Sequence, residues 1–183
     1  MRTSIFFSHA AAAIVITGLC ILIYASVQQA HRSAANDPQL QVARDAARRL
    51  QHGQSIEKLI GNDTIDIATS LSTFTTIYDK DQQPLYSTGF LDGQYPKMPS
   101  GVLDFTANNK EDVFSWQPQR GVRMAMVVEA IQNPKGGFVA VGRSLKEVER
   151  REANLVNMVL IAWIACLCVV ILHWAIASRK PQT

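Results

Sequence analysis

Two stretches of 23 residues, 5–27 and 155–177, contain no Asp, Glu, Lys or Arg. A helix crosses the hydrocarbon core of a bilayer with about 20 apolar residues, so each stretch is long enough to span it. They divide the chain into a head of residues 1–4, a middle segment of residues 28–154 and a tail of residues 178–183. The expected architecture is a membrane protein with one domain held by both of its ends. The lipid bilayer is then its first partner.

Charge gives this arrangement a direction. All 15 acidic residues lie in the middle segment, together with all of the 18 Lys and Arg except Arg2, Arg179 and Lys180. The middle is formally neutral, and the net charge of +3 belongs to the flanks. Short positive flanks stay cytoplasmic. Both termini are therefore expected on the cytoplasmic side of the membrane and residues 28–154 outside it. A nucleic-acid partner is not expected, because the middle segment has no basic stripe. The rival reading of residues 5–27 is a cleavable signal peptide. Its run exceeds the roughly 7–15 apolar residues of a signal core, and Tyr24-Ala25-Ser26-Val27 is a poor cleavage site, so an uncleaved anchor is expected. Cys20, Cys166 and Cys168 all fall in the apolar stretches, which leaves the domain without a disulfide. Cys166 and Cys168 stand two apart, on opposite sides of a helix, and cannot share a metal ion.

The middle segment is long enough for one core. Asp37-Pro38 reads as a helix start, a cap followed by proline at the first helical position. Leu40, Ala43, Ala47 and Leu50 then recur at helical spacing, and Gly53 ends the pattern. Residues 55–69 read as one more helical turn and a loop. From residue 73 the texture turns to strands, expected at 74–78, 84–88, 113–117, 121–131 and 138–142. The polar run Asp79-Lys80-Asp81-Gln82-Gln83 makes a hairpin turn of the first two. A loop with two prolines and a short helix at 102–107 separates the second strand from the third. Such an order favours an antiparallel sheet flanked by helices, an α+β fold. Ser144 and Glu147 have the spacing of a capping box. No glycine or proline follows until Pro181, so one helix of about 35 residues is expected to run from the last strand through the second span. Along it Leu145, Val148, Glu152, Leu155 and Val159 form a 3-4 stripe. It offers a seam for a homodimer or a face that packs on the chain's own sheet.

These residues carry a resemblance. Phe74-Thr-Thr-Ile-Tyr-Asp-Lys-Asp-Gln-Gln-Pro-Leu-Tyr-Ser-Thr-Gly resembles the central hairpin of extracytoplasmic PAS-like or Cache-like sensor domains. Gly137-Phe-Val-Ala-Val-Gly-Arg-Ser-Leu-Lys-Glu resembles the end of such domains in bacterial sensor histidine kinases, where the last strand runs into a signalling helix. The resemblance covers about residues 37–152. It implies a five-stranded antiparallel sheet with an N-terminal helix, and a small-molecule site between the sheet and the central loop. That loop is residues 89–101. Tyr95 lies within it, and Tyr86, Trp116 and Arg123 on nearby strands are expected to face it. Arg123 would clasp a carboxylate-like ligand. The structural alternative pairs Arg123 with Glu111 or Asp112 and makes Trp116 a core residue.

The residues point away from catalysis. His9, His31, His52 and His173 are scattered, and none lies among the expected strands. No nucleophile elbow, zinc motif or phosphate loop appears. Asp79, Asp81, Asp92 and Asp104 fall in turns, where Asp is a turn former. No cofactor and no metal are expected. His173 reads as a lone imidazole reaching the interface beside Trp174. Sensor kinases continue into a cytoplasmic output module, whereas only six residues follow the second span in this sequence. The expectation is a kinase-less accessory sensor that acts through a membrane partner, such as a sensor kinase or receptor. The alternatives are a non-sensing envelope scaffold or a vestigial sensor.

Overall fold

The computed structural model describes residues 2–179 apart from Ile60 and Asn62. Lys180 of the basic tail lies outside them. The chain divides into two compact units, Arg32–Val148 and a pair of segments from its two apolar ends.

The sheet domain is mixed α+β. Its elements are the end of helix α1 (Arg2–Gln51), the turn α2 (Ile56–Leu59), strands β1 (Ile65–Asp66), β2 (Phe74–Tyr78), β3 (Pro84–Ser87) and β4 (Gly89–Phe90), helix α3 (Val102–Asn109), strands β5 (Glu111–Gln119), β6 (Val122–Ala130) and β7 (Phe138–Ser144), and the start of α4 (Lys146–Arg179). Five strands form one antiparallel sheet in the order β3-β2-β7-β6-β5. The first strand, β2, and the last, β7, are thus neighbours at its centre. The parallel pair β1 and β4 was not expected from the sequence. Two-residue strands leave no alternation to read.

Both faces of the sheet are covered. On one side Ala43, Ala46, Ala47 and Leu50 of α1 pack on Ile77, Val127, Val139 and Val141. On the other, Phe74, Tyr78, Trp116, Met124, Met126 and Val128 form a second core with Ile67 and Leu103. Double coverage explains why β6 and β7 read as nearly continuous apolar runs instead of alternating. Gly142 is where β7 passes Phe74: a Cβ there would run into the Phe74 ring and Met126 Sδ.

Local chemistry sets several boundaries. Asp79 Oδ1 accepts from the amides of Asp81 (2.9 Å) and Gln83 (2.8 Å), which closes the β2–β3 turn. The Ser144 hydroxyl accepts from the Lys146 amide at 3.3 Å and starts α4. That helix runs unbroken for 34 residues, as its lack of glycine and proline implies. The start of α1 differs from expectation. Pro38 lies inside the helix and does not open it. Residues 28–36 contain neither glycine nor proline, so nothing upstream stops the helix, and the proline removes a single intrahelical bond at about 3 kcal/mol.

The other unit contains two helices long and apolar enough to cross a membrane, within Phe6–Ala30 and Lys146–Ser178. They pair antiparallel. Trp163 Nε1 donates to Thr17 Oγ1 at 3.0 Å, and His9 Nε2 lies 2.8 Å from His173 Nδ1 with the rings stacked at 5.1 Å. His173 is therefore not a lone imidazole. Its partner stands 164 residues away, a separation across which spacing carries no information. Val159 of the 3-4 stripe faces Thr17, Cys20, Ile21 and Tyr24 of the same chain.

Candidate functional site

A cleft of about 630 Å³ opens on the face of the sheet away from α1. The residues that build it come from three places. The end of β2 and the following turn supply Tyr78, Gln82, Gln83 and Pro84. Phe90 and the loop after it supply Gly93 to Gly101, and α3 supplies Leu103. Three prolines in this stretch, Pro84, Pro96 and Pro99, each fix one backbone dihedral. Asp92, Gly93 and Gly101 take positive φ values of 52°, 73° and 86°, which bend the loop back toward the sheet. Leu91 and Gln94 close the bend with a pair of backbone bonds of 2.9 and 3.0 Å.

Tyr78 ties this loop to the core. Its buried hydroxyl donates to the Pro96 carbonyl at 2.9 Å, and burial holds the phenol well above its ordinary range, so it stays a neutral donor. Gln82 Nε2 donates to Asp104 Oδ1 at 2.6 Å and joins the hairpin turn to α3. Phe90 and Tyr95 lie 5.2 Å apart, tilted by 43°, and make an aromatic wall. Gln82, Gln83 and Gln94 offer amides, and Lys97 is the one charged side chain in the lining. The lining holds no His, Cys, Asp or Glu. An apolar wall with a few amides and a single cation suits a small amphipathic molecule bearing one anionic group.

The four residues expected at the site separate. Tyr95 lines the cleft. Trp116 shares the same face but sits in the core on β5, at the opposite edge of the sheet. Tyr86 stands opposite Ile77 in the register and packs with it on the α1 side, its hydroxyl donating to Gly61 O at 3.2 Å. Arg123 is exposed on β6, and alternation puts it on the α1 side too, between Val122 and Met124 of the other core. The alternative partners for Arg123 are also displaced. Glu111 and Asp112 lie opposite Glu129 and Val128, six and five positions along β6 from Arg123, or about 20 and about 17 Å at the rise of a strand. Glu111 instead binds Arg44 of α1.

Tyr78, Phe90, Gln82 and Lys97 were missed as lining residues. The signal for Tyr78 was its parity with Phe74 and against Ile77. For Lys97 it was its standing as the lone cation in the loop already singled out. Among the described residues no cluster of three or more His, Cys, Asp or Glu could hold a metal ion. Compared with known protein families, with curated proteins and with solved structures, the chain matches none.

Proposed function

We propose that this chain is a two-span membrane protein whose sheet domain is a PAS-like or Cache-like sensor facing the outside of a bacterial inner membrane. It binds a small amphipathic anion in the cleft and passes the binding event to a membrane partner, such as a sensor kinase or receptor. The observation that carries this reading is the position of β2. Its last residue, Tyr78, lines the cleft and holds the loop, while β2 pairs along its whole length with β7, which leads into α4. A ligand that shifts the loop acts on the strand bonded to the one that starts the long helix. The loop and short helix over one face, the N-terminal helix over the other, and the last strand continuing into a long helix all fit the sensor resemblance.

The test is ligand stabilisation of the full-length protein in lipid nanodiscs, screened with a panel of aryl and alkyl carboxylates. A ligand at about 100 times its Kd stabilises by about 2.7 kcal/mol, a readily measured rise in Tm. The stabilisation is expected to vanish in Tyr95→Ala, to weaken at least about tenfold in Lys97→Ala through loss of the charged contact, and to persist in Arg123→Ala. If Arg123→Ala abolishes binding and Tyr95→Ala does not, the cleft is the wrong site. Crosslinking in intact cells checks the partner: recovery of envelope-assembly proteins alone would favour a scaffold.

A further inference from the structure

On the other face of the sheet an ion cluster joins α1 to the strands, and the ligand reading makes no use of it. Glu111, the first residue of β5, stands directly opposite Glu129 of β6, so the strand register holds two carboxyl groups side by side. From α1, Arg44 grips Glu111 with both arms of its fork: Nε donates to Oε2 at 2.8 Å and Nη2 to Oε1 at 3.2 Å. Glu129 is left over. Its Oε2 is shut off from solvent and has no hydrogen-bond partner.

The charged groups around Glu129 come from two elements. β5 presents Glu111, and α1 presents Arg44 and Arg48. Arg48 is drawn off by Asp45 at 3.3 Å. From β7, the residue opposite Glu129 is Val139, which carries no charge. With both carboxyls ionised, Arg44 faces two anions and can bind only one of them well. A proton on Glu129 lets it donate to Glu111 and leaves one anion for one guanidinium.

We propose that Glu129, Glu111 and Arg44 form a proton-operated latch between α1 and the sheet, closed when Glu129 carries a proton and loosened when both carboxyls are ionised. The domain then responds to the pH of the compartment it faces, whether or not the cleft is filled. Burial first, and then Glu111, push Glu129 up to about 7, while the bond from Arg44 holds Glu111 below the usual carboxylate range. The signs are opposite. The raised Glu129 contributes stability that is complete below its ordinary value of 4.5 and is lost as pH rises through about 7. Glu111 contributes stability that is lost as pH falls below its ordinary value. The latch is tightest between these limits.

The test is hydrogen exchange of the α1 amides 39–51 in the full-length protein in nanodiscs, corrected for the intrinsic pH dependence of exchange. Local opening is expected to rise severalfold, at most about tenfold, from about pH 6 to about pH 8 in the wild type: a rise from 4.5 to about 7 spends its larger part below pH 6, and Glu129 keeps part of its water. Glu129→Gln should abolish the rise, and Glu111→Gln should abolish it too, because a single anion then remains and the freed Arg44 can bind the ionised Glu129. A wild type that opens equally at both pH values, or a Glu129→Gln variant that keeps the full rise, overturns the latch. Carboxyl-carbon resonances of glutamate-labelled wild type give a check that needs no variant. One glutamate titrating near neutrality supports the proposal, and all of them titrating in the ordinary range overturns it.

Discussion

In the sheet domain Phe74, Met126 and Val127 are sealed from solvent by their own chain, whereas in the helix pair Ile14, Leu22, Ile161 and Val169 stand open. Both regions are rich in large apolar side chains. The domain disposes of its own by folding two helices onto two faces of one sheet. In the helix pair large apolar side chains stay exposed, which is compatible with a pair of helices lying in a membrane. Polar contacts differ in the same way. Those of the domain close turns and fix loops, as with Asp79 and Tyr78. In the helix pair Trp163–Thr17 and His9–His173 bridge two otherwise apolar helices. Such bonds set register where hydrophobic packing has little preference.

The largest test of this contrast is truncation of the domain core. Phe74→Ala removes a ring with no exposed surface and should cost about 3–5 kcal/mol, seen as a sharply lower midpoint in chemical denaturation of the domain. Leu22→Ala, at a side chain already exposed, should leave that midpoint where it is. Next comes the same charge placed on two exposed positions. Val113 is 42% exposed on the sheet and Ile161 is 68% exposed on α4. If water surrounds the first and lipid the second, Val113→Arg should change stability by no more than about 0.5 kcal/mol. Ile161→Arg should then cost about 2.5–3.5 kcal/mol in membrane insertion. A tagged insertion assay in cells reads the second effect, and equal tolerance of both substitutions would remove the membrane from the account. The smallest effect belongs to the seam. Thr17→Val deletes the acceptor of the Trp163 indole and should loosen the helix pair by about 0.6 kcal/mol, measured by thermal denaturation in detergent.

Much of the fold could be read along the chain because its signals are local. The five main strands and the short helix of residues 102–109 lie within a few residues of where β-branched runs, turn residues and apolar spacing put them. The hairpin turn at Asp79 and the long helix after Ser144 follow from chemistry contained in five and in thirty-odd consecutive residues. The site was legible only in part. The central loop was found, and Tyr95 with it, but Tyr86 and Arg123 were assigned to the wrong face of the sheet. A one-residue change in parity moves a side chain through the sheet, and β6 hides its parity because both of its faces are apolar. Pro38 misled for a related reason: a proline marks a helix start only where the preceding residues are not already helical.

What the sequence determined by itself is therefore whatever depends on composition and short-range spacing: two uncharged stretches, the strands, the turns and the unbroken last helix. The tertiary structure decided which distant groups meet. It brought Glu111 opposite Glu129 with Arg44 over them, His9 against His173, and Tyr78 beneath the loop it anchors. Those meetings depend on strand order, register and helix pairing. These are settled by how whole faces bury one another, and no window of neighbouring residues contains that information.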